Sequence, residues 1–234
     1  MGVIILFYDF HVNEDLKLVK EAKRLGYGGL ALIEDVDEKP ASDAIRNWKA
    51  LEKEYSINLY KGILIRARNP EHMKQKVKKH RKEADIIIVH GGDQKINRAA
   101  CEDPRVDIIS KPYFNRRDCG INHVIAKKAA QSEVAIELNI KHLTKTSSYL
   151  HYKVLSYFRE IIKLKRKFDF PIIITSNAKS IYDLHTPRDL IALSGCFGMD
   201  HKESVSALSQ TPLNIIERNR LRDKIIIEGV KRLD

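Results

Sequence analysis

Cysteine is scarce in this chain: Cys101, Cys119 and Cys196 are the only three in 234 residues, an odd number with no CxxC spacing. That pattern excludes a disulfide framework and a thiolate zinc site. It fits a reducing cytosol, so a cytoplasmic protein is expected. Long apolar runs are absent too. No stretch approaches the ~20 apolar residues of a membrane-spanning helix, and no membrane partner is expected. Val3–Phe7 is apolar but short, and it lacks a basic leader and a cleavage site, so it reads as a first strand rather than a signal peptide. The chain has no internal repeat and no low-complexity segment. Walker A, G-x-G-x-x-G and G-x-S-x-G patterns are also missing, which removes the usual signatures of nucleotide binding and of a serine nucleophile. Tryptophan occurs once, at Trp48, where it reads as a packing residue of a helix.

Positive charge is in excess. The 42 Lys and Arg against 31 Asp and Glu leave a formal charge of +11, with a pI near 9.5. Such a balance points to a polyanionic partner, nucleic acid before membrane. The plain alternative is the solvated Lys- and Glu-rich surface of a heat-adapted protein.

Short β-branched runs of strand length alternate with helix-like segments. The strand readings are Val3–Tyr8, Gly29–Ile33, Leu59–Ile65, Ile86–Val89, Val106–Ile109, Val134–Leu138 and Pro171–Thr175, with Ile225–Ile227 as a weak eighth. Alternation of this kind gives right-handed βαβ units and a parallel sheet. Over residues 1–234 it favours one α/β barrel domain, with a tail from about residue 222 expected to be mobile. Asn13 is expected to cap a helix over Glu14–Leu25 that Gly26 ends. Ser42 and Asp43 stand near the start of another, Ala44–Tyr55. Pro70 opens a third helix, which carries the densest basic run, Lys74, Lys76, Lys78, Lys79, Arg81 and Lys82. That run is either a solvated outer face or a phosphate-contacting stripe. Longer and shorter helices are expected over Tyr149–Lys167, from Pro187 to Leu193 behind a Thr186 cap, over Met199–Leu208 and over Leu213–Arg220.

In parallel α/β folds, sites lie at the carboxyl ends of strands. The ligand types found there are Asp9, His11, Glu34, His90, Asp93 and Glu137. The first strand resembles the opening of the polymerase-and-histidinol-phosphatase (PHP) phosphoesterases, which begin with a His-x-His pair. Here the second position is Asn13. A late Ser-Asp-Ala-His-type motif of that family reads Ser176-Asn177-Ala178-Lys179 here. Both exchanges remove strong metal ligands, and Lys179 adds positive charge, so a di- or trinuclear cluster is not expected. No catalytic residue and no metal ligand are assigned.

What remains at the strand ends and nearby loops is a basic set: Arg66, Arg68, Lys95, Arg98, Lys111, Arg116, Arg117, His123, Lys127, Lys179 and Arg188. Arginine forks match phosphate oxygens, and lysine supplies point charge. These eleven are the candidate RNA-binding residues. Tyr113 and Phe114 interleave with them and either stack on unpaired bases or pack internally. His90-Gly91-Gly92 offers either a phosphate nest or a tight turn capped by Asp93. Asn122 either caps the next helix or meets phosphate at its start.

Taken together, Gly91-Gly92-Asp93 with Asn97-Arg98, Val106-Asp107-Ile108, Gly120-Ile121-Asn122-His123-Val124 with Ala126-Lys127, Val134-Ala135-Ile136-Glu137-Leu138-Asn139, Ser176-Asn177-Ala178, Pro187-Arg188-Asp189-Leu190 and Gly198-Met199 are similar, in order and spacing, to the family of ribonuclease P protein component 3. The resemblance covers essentially the whole chain. It implies a distorted TIM-like (β/α) barrel related to the PHP fold. It also implies a non-catalytic subunit of the ribonucleoprotein that removes the 5′ leader of precursor tRNA. The partners it implies are ribonuclease P RNA, protein component 2 in a heterotetramer, the other ribonuclease P protein subunits, and precursor tRNA as holoenzyme substrate. It assigns no cofactor to this chain; Mg²⁺ would belong to the catalytic RNA. Two other readings stay open: a PHP-type metal-dependent phosphoesterase using His11, His90 and Glu137, and a barrel enzyme binding a sugar phosphate near His90–Asp93.

Overall fold

Burial on both faces explains why the strands read as continuous apolar runs. In the strand Ile86–His90, Ile86 and Ile88 join one buried cluster while Ile87 and Val89 join another. Only a parallel strand with side chains covered on both sides has that pattern. The computed structural model describes residues 5–37, 48–146, 148–222, 225–227 and 230–231. In chain order its elements are β1 (Tyr8–Asn13), α1 (Leu16–Arg24), β2 (Gly29–Asp35), α2 (Trp48–Tyr55), β3 (Asn58–Ile65), α3 (Pro70–His80), β4 (Ile86–His90), α4 (Gln94–Glu102), β5 (Ile108–Ser110) and α5 (His123–Gln131). They continue with β6 (Ala135–Asn139), α6 (Ile140–Thr144), α7 (Ser148–Phe168), β7 (Ile172–Thr175), a 3-10 turn (Ile181–Asp183), α8 (Pro187–Gly195), α9 (His201–Leu208), α10 (Gln210–Arg222), β8 (Ile225–Ile227) and β9 (Val230–Lys231).

The seven strands β1 to β7 lie side by side in chain order, all parallel. The ring closes at its carboxyl end, where Val12 bridges Ala178 beyond β7 and the Asn13 N–H donates to the Ala178 carbonyl at 2.9 Å. This is the expected TIM-like barrel, built with seven strands. Ile225–Ile227 is not an eighth: it pairs antiparallel with β9 in a separate ribbon. Inside the barrel, Phe10, Ala31, Ile33, Tyr60, Leu64, Ile86, Ile88, Ile108, Ala135 and Ile173 pack together, and Ile215 and Ile216 of α10 join them from the amino-terminal end. A helix across the floor thus supplies apolar volume to a seven-stranded interior.

Several boundaries depart from the sequence reading. β1 begins at Tyr8: of the expected strand, Val3 and Ile4 lie outside the described residues and residues 5–7 stay off the ladder, which starts at Tyr8 opposite Gly29 after the Phe7 carbonyl accepts from Gly28 and Gly29. Asp9 and His11 therefore lie within the strand and not in a loop. Asp15, not Asn13, caps α1, accepting from the Lys17 N–H at 2.7 Å. β5 and β6 each run one residue beyond the expected end. Pro70, Asp93, Asn122 and Thr186 occupy the helix starts expected of them. Ser42, Asp43 and residues 44–47 of the expected second helix lie outside the described residues, as does most of the tail from 222.

A candidate nucleic-acid interface at the barrel mouth

A β-bulge between Asp9 and Val12 shifts the register of β1 against β2. Bulges re-aim side chains next to functional sites. This one precedes a set of polar groups buried in the carboxyl-terminal mouth: Asp9, His11, Glu137, Asn139, Thr175 and Ser176. Glu137 is fully buried. His11 Nδ1 meets its Oε1 at 2.5 Å, the Thr175 hydroxyl donates to the same oxygen at 2.6 Å, and Asn139 Nδ2 donates to the other at 3.3 Å. Burial works against a carboxylate there, but the His11 imidazole and these donors outweigh it and hold Glu137 down to about 2. Asp9 accepts the backbone N–H groups of Ser176 at 3.1 Å and His11 at 3.2 Å, and the Ser176 side chain adds to them. Burial prevails over those bonds and pushes its carboxyl up to about 6.

These groups do not fit a resident divalent cation. Each carboxylate oxygen already has a protein partner, and His11 Nδ1 faces Glu137. Among the described residues no group of three or more His, Cys, Asp and Glu is arranged to hold a metal. The remaining imidazole, His90, donates Nδ1–H to the Gly91 carbonyl at 2.8 Å and meets Phe114 edge-on. Burial, with the charges of Lys111 and Arg66, pushes it down to about 4, so it is neutral at pH 7.

Lys111 supplies the opposite charge. It follows β5 in a left-handed conformation, φ +48°, and no carboxylate lies within ion-pair distance of it among the described residues. Burial lowers its ammonium below the ordinary lysine value. Glu137 opposes the shift, while Arg66, Lys179 and Lys141 add to it. Four cations from four strand ends thus act on one another across the mouth.

The other expected contacts divide into groups. Arg66 keeps an exposed guanidinium although Nε donates to Asp35 at 2.8 Å. Arg68 is exposed just beyond it. Arg116 pairs with Asp118 at 2.6 Å, and together with His123 it lines a groove of about 320 Å³ at the start of α5. Arg117 is exposed nearby. Lys95, Arg98 and Lys127 stand exposed on α4 and α5, with Arg98 paired to Glu102 at 3.0 Å, and Arg188 is exposed in the first turn of α8. The structure therefore joins Arg66, Lys111 and Lys179 at the mouth and distributes the rest around its rim helices. Lys141 was missed, although it stands two residues after the sixth strand, next to the Asn139 that caps α6.

Some readings are overturned. The two glycine N–H groups after β4 form no phosphate nest: Gly91 donates to the Ser110 carbonyl at 2.7 Å and Gly92 to Asn97 Oδ1 at 2.9 Å. Asn97 is fully buried, and its Nδ2 donates to the Pro112 and Gly120 carbonyls at 2.8 and 2.9 Å. At Gly120, φ +72°, a Cβ would come within 2.0 Å of the Pro112 oxygen. The Gly-Gly, Asn and Gly of the motif are one loop clamp, which also removes the basis for a sugar-phosphate site there. Tyr113 is no base platform: it is buried, stacks on His142 and meets Phe158 edge-on. In the basic helix α3, Lys76 pairs with Asp37, and Arg81 beyond its end turns inward to Asp107.

The fold and its mouth define a TIM-like barrel whose ligand-type side chains are committed to one another and whose surplus charge is cationic. The chain belongs to the ribonuclease P subunit p30 family, whose model matches residues 6–224. It is 42% identical over 237 residues to ribonuclease P protein component 3 of Methanothermobacter thermautotrophicus, covering 99% of this chain and 97% of that protein. It is also similar to a chain in the cryo-EM structure of archaeal ribonuclease P with mature tRNA, at 33% identity and a TM-score of 0.84, covering 97% of this chain and 98% of the other. A Xaa-Pro dipeptidase at 9% identity and a TM-score of 0.59, covering 92% of this chain and 76% of that one, shares the barrel fold alone. No helix among the described residues is long and apolar enough to cross a membrane.

Proposed function

We propose that this ribonuclease P subunit is non-catalytic itself and serves the holoenzyme by binding and stabilising the catalytic RNA that removes the 5′ leader of precursor tRNA. The observation that carries the reading is the whole-chain likeness to ribonuclease P component 3 and to a chain of archaeal ribonuclease P with tRNA. The mouth supports it physically. An unpaired, largely buried lysine ringed by Arg66, Lys141 and Lys179 is a poor solution for an isolated barrel and a good one for a phosphate backbone, whose binding releases counterions. Arg68, Lys95, Arg98, Arg116, Arg117, His123, Lys127 and Arg188 extend that contact around the rim. In this reading Mg²⁺ belongs to the RNA. The chain acts as one barrel domain in the cytoplasm and pairs with component 2 as a heterotetramer alongside the other protein subunits. A metal-dependent phosphoesterase is disfavoured by the carboxylates already committed to His11, Thr175, Asn139 and backbone N–H groups.

The test is precursor-tRNA cleavage by the catalytic RNA and the other protein subunits at moderate Mg²⁺, with and without this chain. The expected result is stimulation by the chain and no cleavage by the chain alone. Chelator-sensitive cleavage by the chain alone, surviving nuclease controls, would overturn the reading. Arg98→Ala with Arg188→Ala is expected to weaken RNA association and flatten its salt dependence.

A further inference from the structure

Tyr182 is 81% exposed, the most exposed of the large apolar side chains in the described residues. It sits in the middle of the 3-10 turn Ile181–Asp183, on the carboxyl-terminal side of the barrel after β7. It makes no hydrogen bond or ring contact with the described residues. The turn beneath it is nonetheless firmly held. The Asp183 carboxylate is nearly buried and accepts the Lys179 and Ser180 N–H groups at 3.0 and 3.1 Å and the Lys141 ammonium at 2.7 Å, with Lys145 at 3.9 Å. On the other side Leu184 is buried in the cluster around α1, and the Tyr27 hydroxyl donates to the His185 carbonyl at 2.9 Å. An anchored backbone presenting an uncovered aromatic ring loses little conformational entropy when a flat ligand settles on the ring.

The surroundings choose between ligand classes. Lys179 is exposed three residues earlier, Lys145 is largely exposed, and Lys179 and Lys141 are two of the cations that act on Lys111. A docking surface for another protein would call for a contiguous apolar patch with charge depleted at its centre. Here the apolar surface is the ring and its half-exposed neighbour Ile181, with lysines close by; a ring beside cations is the arrangement that single-stranded nucleic acid uses, with a base on the ring and phosphates on the cations.

We propose that Tyr182 is a stacking platform for an unpaired base of the RNA that the mouth binds, with Lys179 and Lys145 facing the adjoining phosphates. This rests on the RNA-binding reading and deepens it. The experiment measures binding of ribonuclease P RNA to the full chain over a salt series for wild type, Tyr182→Ala, Tyr182→Phe and Tyr182→Trp, with thermal unfolding as the control. Tyr182→Ala is expected to bind about ten-fold more weakly with an unchanged salt slope, because stacking is lost and no phosphate contact is. Tyr182→Phe and Tyr182→Trp are expected to bind like wild type, and all four to unfold alike. Equal RNA binding by Tyr182→Ala would overturn the platform while leaving the mouth reading intact. So would equal RNA binding with lost association to another protein subunit, which would make the ring a protein contact, or a Tyr182→Phe variant as weak as Tyr182→Ala. Wild type showing no salt-dependent binding would overturn both readings.

Discussion

The two ends of the barrel handle charge in opposite ways. At the amino-terminal floor, Asp107 is fully buried between two guanidiniums, Arg81 Nη1 at 2.5 Å and Arg218 Nη2 at 2.8 Å, and it also accepts the Ile87 N–H at 2.8 Å. Every element that must meet there, α3, β4, β5 and α10, is tied to that one carboxylate. At the mouth, Glu137 is held by His11, while Lys111 has no anionic partner among the described residues; Arg66 and Lys141, each paired with a carboxylate of its own, Asp35 and Asp183, and the exposed Lys179 still act on it with like charge. Charge that is paired within the protein is architecture; charge left unpaired at some energetic cost is available to a ligand. A count of basic residues cannot separate the two, since Arg81 and Lys111 contribute equally to the net charge.

Breaking the floor has the largest expected effect. Asp107→Ala leaves two largely buried guanidiniums without their shared carboxylate, with only backbone carbonyls and the distant Glu133 to face them, and is expected to destabilise by about 3 kcal/mol, read as a lower urea midpoint. The salt slope of RNA binding by the folded fraction is expected to stay unchanged.

The mouth's carboxylates give the next effect, and their signs differ. Asp9 is raised from 3.8 to about 6, so the folded chain binds its proton more readily than the unfolded chain does. Its contribution is fully present below pH 3.8 and is lost as pH rises through about 6. Glu137 is lowered from 4.5 to about 2, so its contribution is present above pH 4.5 and is lost as pH falls towards about 2. Stability is therefore expected to rise on acidification from neutrality towards about pH 4 and to fall in stronger acid, each limb on the order of 2 kcal/mol. Asp9→Asn should abolish the rise, and Glu137→Gln should shrink the fall; denaturant midpoints across pH check both.

Lys111 sharpens the comparison further. Replacing an unpaired, largely buried cation with Lys111→Met is expected to raise stability by about 1 kcal/mol while reducing the salt slope of RNA binding by about one. Loss of stability with unchanged RNA binding would make Lys111 another floor-type residue. The smallest effect is expected from Lys74→Ala with Lys78→Ala on the exposed side of α3, which should change RNA affinity by less than about two-fold. A larger change would extend the RNA contact beyond the mouth and its rim.

Much of this was legible because it depends on local chemistry. Pro70, Asp93, Asn122 and Thr186 each start a helix where their own backbone preference and side-chain length require it. The β-branched runs became strands because nothing but a doubly covered sheet buries both their faces. Illegible positions were those whose partners lie far along the chain. Asp9 and His11 read as loop residues because a buried polar residue is tolerable only with partners, and theirs are Ser176 and Glu137. Tyr113 stayed open between base stacking and internal packing because the rings that cover it come from α6 and α7. Gly91 and Gly92 stayed open between a nest and a tight turn because the acceptors of their N–H groups, the Ser110 carbonyl and Asn97, lie outside the local pattern.

The sequence by itself determined the parallel barrel, most of the helix starts, side chains other than carboxylate or imidazole at Asn13 and Lys179, and an excess of positive charge. These follow from periodicity, side-chain type and counting, which act at short range. Only the tertiary structure decided which charges cancel and which remain. Ion pairing depends on separations of a few ångströms between residues such as Arg218 and Asp107, 111 positions apart, and burial magnifies the consequence of each pairing made or left unmade.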